Sequence, residues 1–85
     1  MLDYKLSSKS AKFLSKCDKE LYERLKNKIS NLRENPFPSD CKRVLDRKEK
    51  TFRVRVGNYR ILYSVYKKDN LLFISDIDKR PKAYD

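Results

Sequence analysis

The 85-residue chain has no histidine and no tryptophan, a single glycine, and two cysteines. Without histidine, neither a histidine acid/base pair nor a Ser-His-Asp triad can be assembled. One glycine excludes the GxGxxG and GxxxxGK[ST] loops that cradle dinucleotides and nucleoside triphosphates, because those need several backbone positions free of a Cβ. Cys17 and Cys41 stand far apart, with no CxxC pattern. They are read as free, buried or half-buried thiols. The longest apolar run is the four residues Leu71–Ile74, too short to cross a bilayer. The N-terminus also lacks the apolar core of a signal peptide, so a cytoplasmic protein without a membrane partner is expected. Asp76 and Asp78 could share a metal, but no third carboxylate or histidine converges on them. Pairing with nearby lysines or arginines is the better expectation, and no metal or cofactor is called for.

What the chain does have is positive charge: 22 basic residues against 12 acidic, a net +10. The excess is concentrated. Lys42, Arg43, Arg47, Lys48, Lys50, Arg53, Arg55 and Arg60 fall in 19 residues that hold only Asp46 and Glu49 in opposition. Such a run is commonly a solvated face, but here it lies on a predicted strand and its approach loop, which points to a polyanion.

The length suits one domain, residues 1–85, with one small core. LDYKL at 2–6 alternates, putting Leu2, Tyr4 and Leu6 on one side of a short strand. Ser7 or Ser8 can cap a first helix that ends near Lys16 and carries Ala11, Phe13, Leu14 and Cys17 as its apolar positions. Asp18 can cap a second, over 19–34, whose stripe is Leu21, Leu25, Ile29 and Leu32. Asn35-Pro36 stops it, since a proline disfavours helical geometry in the residue before it. Residues 36–50 read as loop. The period then becomes two, and Gly57-Asn58 supplies a hairpin turn between strands at 51–56 and 59–66. KKDN turns the chain again into LLFISDID, with KRPKAYD as a tail. The order β-α-α-β-β-β describes an α+β domain, an antiparallel sheet with an N-terminal helical hairpin on one face.

A two-residue turn sets the hairpin register: Val56 opposite Tyr59, Arg55 opposite Arg60, Val54 opposite Ile61, Arg53 opposite Leu62 and Phe52 opposite Tyr63. The apolar side chains then share the face the helices cover, and Arg53, Arg55 and Arg60 gather on the other. Like charges directly opposed destabilise a strand pair by a few tenths to about 1 kcal/mol. Solvent could screen them, or carboxylates such as Asp46 or Glu49 could fold over them. The reading favoured here is a phosphate held by planar guanidinium groups.

Metal-free cleavage of RNA needs the 2′-hydroxyl deprotonated, the pentacoordinate phosphate stabilised and the leaving 5′-oxygen protonated. Arginine suits the second task and not the first, because its guanidinium does not titrate in proteins. Tyr84, Lys79 and Lys50 are the available candidates for proton transfer, and Arg80 adds a further positive anchor.

These segments resemble a known family. VLDRKEKTFRVRVGNYRILYSV, followed by a strand ending DIDKRPKAY, is similar to the RelE/ParE superfamily of toxins, in particular its RelE branch, over essentially the whole chain. The resemblance implies a RelE-like fold and a metal-independent endoribonuclease that enters the ribosomal A site and cuts bound mRNA. It implies catalytic roles for Arg53, Arg55, Arg60, Arg80 and Tyr84, and places Lys42, Arg43, Arg47, Lys48, Lys50 and Lys79 on the RNA-binding surface. It also implies an antitoxin that wraps and inhibits the chain, with operator DNA bound only by the toxin–antitoxin complex. Lys79 stands where many relatives carry histidine, and the strand arginines stand where some carry lysine, so the general base stays open. Two other readings stand beside it: a ParE-like gyrase poison on the same fold, which would need neither Tyr84 nor a phosphate site, and a non-catalytic RNA-binding module.

Overall fold

The computed structural model describes residues 1–79; the predicted site residues Arg80 and Tyr84 lie outside this range. The elements are β1 (Asp3–Leu6), α1 (Ser8–Lys16), α2 (Lys19–Glu34), β2 (Lys42–Val44), β3 (Thr51–Val56), β4 (Tyr59–Tyr66), a 3-10 turn (Lys67–Asp69) and β5 (Leu71–Lys79). The strands form one sheet in the order β1-β5-β4-β3-β2. All neighbours are antiparallel except β1 and β5, which run parallel. The expected helical hairpin and sheet are therefore present. The short strand β2 within the expected loop, and the parallel edge pair, are additions to the predicted order.

Both helices begin where the sequence offers a cap. The Ser7 hydroxyl accepts from the Ser10 amide, and Asp18 accepts from the Leu21 amide at 2.8 Å. Of the apolar positions expected along α1, Leu14 is buried but Ala11 is exposed. Ser10 takes the inner place: it is fully buried and its hydroxyl donates to the Ile74 carbonyl. A buried hydroxyl is tolerated when it is bonded, and this bond ties α1 to β5 just where β1 ends its pairing.

The core lies between α2 and one sheet face. Leu25, Ile29 and Leu32 meet Val54, Ile61, Tyr63, Leu72, Ile74 and Ile77, with Leu14 and Leu21 at one side. Burying each aliphatic side chain contributes roughly 1.5–3 kcal/mol, so this face fixes the sheet's orientation. The Tyr63 hydroxyl, deep in this layer, donates to the Pro36 carbonyl at 2.6 Å.

The strand β5 breaks its own alternation. Tyr63 pairs with Ile74 and Leu62 with Asp76, so Ser75 is an extra residue, a β-bulge. Strict alternation from Leu72 and Ile74 would turn Asp76 and Asp78 into the core. The bulge delivers Ile77 to the core instead, and places both carboxylates on the opposite face.

Candidate functional site

The face away from the helices carries the arginines. The hairpin pairs Arg55 with Arg60 and Arg53 with Leu62, as the two-residue turn dictates. Gly57 holds the turn at φ +58°, a left-handed conformation that costs glycine nothing. Across the sheet, two rows result. One runs Lys42, Arg53, Leu62, Asp76, and the other Arg55, Arg60, Asp78. All three arginines are half-buried, and Leu62 is almost wholly buried among the polar residues of its row.

The two aspartates pair with basic groups. The Arg60 Nε donates to Asp78 Oδ1 at 2.8 Å, both side chains being about one-quarter to one-third exposed (25% and 32%). Lys9 of α1 reaches Asp76 Oδ2 at 3.2 Å, while Asp76 Oδ1 is buried with no hydrogen-bond partner among the described residues. Glu49, which could have covered the arginines, instead accepts from the Tyr66 hydroxyl at 2.7 Å, and that contact raises the Tyr66 pKa. Among the described residues no cluster of three potential metal ligands occurs.

The remaining predicted residues divide by face. Lys42 joins the arginine face opposite Arg53. Its neighbour Arg43 pairs with Phe52 and stacks its guanidinium over that ring, 5.9 Å from the centroid, on the other face. Arg47 and Lys48 are exposed in the β2–β3 turn. Lys50 borders a hollow with Phe37, Phe52, Val65, Lys67 and Lys68, away from the arginines. Lys79 pairs with Tyr59 and lies at the lip of a groove between α1 and the ends of β4 and β5. That groove, about 600 Å³, has an apolar floor of Phe13, Leu21, Tyr59 and Ile77, and around it stand Lys9, Lys12, Lys16 and Lys79 together with Asp18 and Asp78. Phe13 and Tyr59 meet edge to face at 5.8 Å in its floor.

Pairing of Asp78 with a nearby basic residue was expected, but its partner Arg60 could not be named from sequence, and neither could a second site neighbour. The contact of Asp78 with Arg60 needs the bulge at Ser75, for which the β5 sequence carries no glycine or proline as a signal. Arg24 of α2 lies over the hairpin tip, its guanidinium so close that a Cβ on Gly57 would sit 2.7 Å from it. Only the packing of helix on hairpin makes that contact, so no local pattern announces it.

Residues 4–84 match the family described as ParE toxin of type II toxin-antitoxin system, parDE. A Methanocaldococcus jannaschii protein carrying the name RelE1 is 35% identical over 65 residues, spanning 73% of this chain and 71% of its own length. Among solved structures, the archaeal RelE–RelB complex from Pyrococcus horikoshii OT3 is similar with a TM-score of 0.81 at 26% identity, covering 95% of this chain and 97% of that one. The isolated Escherichia coli RelE toxin gives a TM-score of 0.80 at 18% identity, over 99% and 92% of the two chains.

Proposed function

This chain belongs to the RelE/ParE superfamily of type II toxin–antitoxin toxins, and from that premise we propose that it is a ribosome-dependent endoribonuclease cutting mRNA in the ribosomal A site. The observation that carries this reading is the arginine row. Arg55 and Arg60 directly oppose one another, with Arg53 and Lys42 on the same face. Three guanidinium groups and a lysine gathered on one face favour an anionic ligand, and a dianionic phosphorane is one that planar guanidinium donors fit.

In this mechanism the 2′-hydroxyl attacks the adjacent phosphorus, the 5′-oxygen leaves, and a 2′,3′-cyclic phosphate remains. Arg60, with Arg53 and Arg55, stabilises the charge that builds on the phosphate oxygens in the transition state. Tyr84 is assigned the proton transfer and Arg80 a further phosphate contact, both on the family resemblance. Lys42, Arg47, Lys48 and Lys79 add long-range attraction for RNA, which is electrostatic and weakens with salt. Inhibition by a cognate antitoxin is part of the proposal, and the lysine-rimmed groove beside the site suits an acidic, amphipathic segment of that partner.

The test is single-turnover cleavage of message on programmed ribosomes. Arg60→Ala is expected to slow it by about 100- to 1,000-fold, the usual loss when one transition-state donor is removed. Tyr84→Phe should also slow it. If both variants cut at the wild-type rate, the site is misassigned.

A further inference from the structure

Asp78 is the carboxylate that touches the proposed transition-state arginine, and it reaches that place only because Ser75 is bulged out of β5. β-Bulges commonly re-aim a side chain at a functional site. An ion pair on a solvent-facing strand contributes little stability by itself. A carboxylate beside a phosphate site also has a cost, since it repels the substrate's charge. The contact therefore needs a further reason, and its geometry supplies one.

The bond runs from Nε, the nitrogen nearest the backbone, to a single oxygen of Asp78 at 2.8 Å. A guanidinium held there is fixed in rotation about its long side chain, while its terminal nitrogens are the pair that can grip a phosphate in a fork. An unheld arginine must give up side-chain entropy when it is ordered. Holding it in advance moves that cost out of the reaction step.

Resting on the reading of Arg60 above, we propose that Asp78 is a positioning residue: it holds the Arg60 guanidinium through Nε in the orientation that meets the transition-state phosphate. Asp76, by comparison, is buried and engaged by Lys9, and it faces Leu62 across the ladder, so it does not share this task.

The two effects of the carboxylate, holding Arg60 and repelling the message, make the test specific. Single-turnover cleavage is measured on programmed ribosomes for wild type, Asp78→Ala, Asp78→Asn and Arg60→Ala, with the rate at saturation and the half-saturating concentration read separately. Asp78→Ala should lower the saturating rate by about 10- to 100-fold, as misplaced catalytic groups do. Its half-saturation should be unchanged or lower, because a repulsive charge is gone. Asp78→Asn keeps an oxygen that can accept from Nε, through a weaker neutral bond, and should restore the rate to within about threefold of wild type. A wild-type rate for Asp78→Ala, with Arg60→Ala impaired, overturns the positioning role and leaves the site reading standing. If Asp78→Asn is as slow as Asp78→Ala and the acidic limb of the pH–rate profile disappears, Asp78 acts as a base instead, and the proposal also fails. A wild-type rate for Arg60→Ala removes the site reading and this proposal together.

Discussion

Tyr63 is the largest fully buried side chain of the core, and its hydroxyl finds the Pro36 carbonyl at the start of the α2–β2 connection. Burial pushes its pKa upward from the ordinary 10.0, with the nearby Cys41 thiol adding to the shift. The folded state thus holds the phenol proton more tightly than the unfolded chain does. A group whose folded pKa is raised gives stability that is fully present below the unfolded value and is lost as pH rises above it. Wild type should therefore be more stable than Tyr63→Phe near neutrality, by about 0.5–1.5 kcal/mol for the lost hydrogen bond. The difference should shrink and then reverse as urea unfolding is measured at pH values climbing above 10, the ordinary tyrosine value. A difference that stays constant with pH would show that the phenol is not held protonated by the fold. At the same scale, the pairing of Asp78 with Arg60 shows what a residue list cannot hold. Each residue type was visible in the sequence, but their meeting depends on one extra residue, Ser75, between them and the regular part of β5.

The β3–β4 hairpin is the element on which the proposed function hangs, because its register decides which side chains share a face. That register was legible: a two-residue turn at the only glycine, flanked by period-two patterns, leaves one pairing that buries the apolar set. Gly57→Ala should destabilise the protein by at least about 1 kcal/mol, since an L-residue resists positive φ. The new Cβ must also displace the flexible Arg24 guanidinium. Chemical denaturation checks this, and an unchanged midpoint would mean the turn relaxes freely. The helices were legible for similar reasons, from their serine and aspartate caps and the Leu21, Leu25, Ile29, Leu32 stripe. The strand β2 was not, because three residues reading Lys-Arg-Val at a sheet edge carry no periodicity, and only pairing with β3 makes them a strand. The parallel β1–β5 pair was equally hidden, since relative strand direction follows from how the helical hairpin returns the chain.

For the molecule as a whole, the helices cover one face of the sheet and the arginines stand on the other, while the +10 charge supplies the field around both. The chain's place among type II toxins rests on residues spread from 4 to 84, so it is a property of the entire fold and not of one motif. Fold alone leaves RNA cleavage and gyrase poisoning on equal terms, because function lives in the site and not in the scaffold. The proposed reading favours RNA cleavage on the strength of the arginine row, and the most direct measurement follows from it. The protein is expressed without an antitoxin, and the 5′ ends of ribosome-bound message are mapped for wild type and for Arg60→Ala. The proposed function predicts ends clustered within A-site codons that vanish in the variant. Intact message in cells that are nonetheless poisoned, together with inhibited supercoiling, would contradict it.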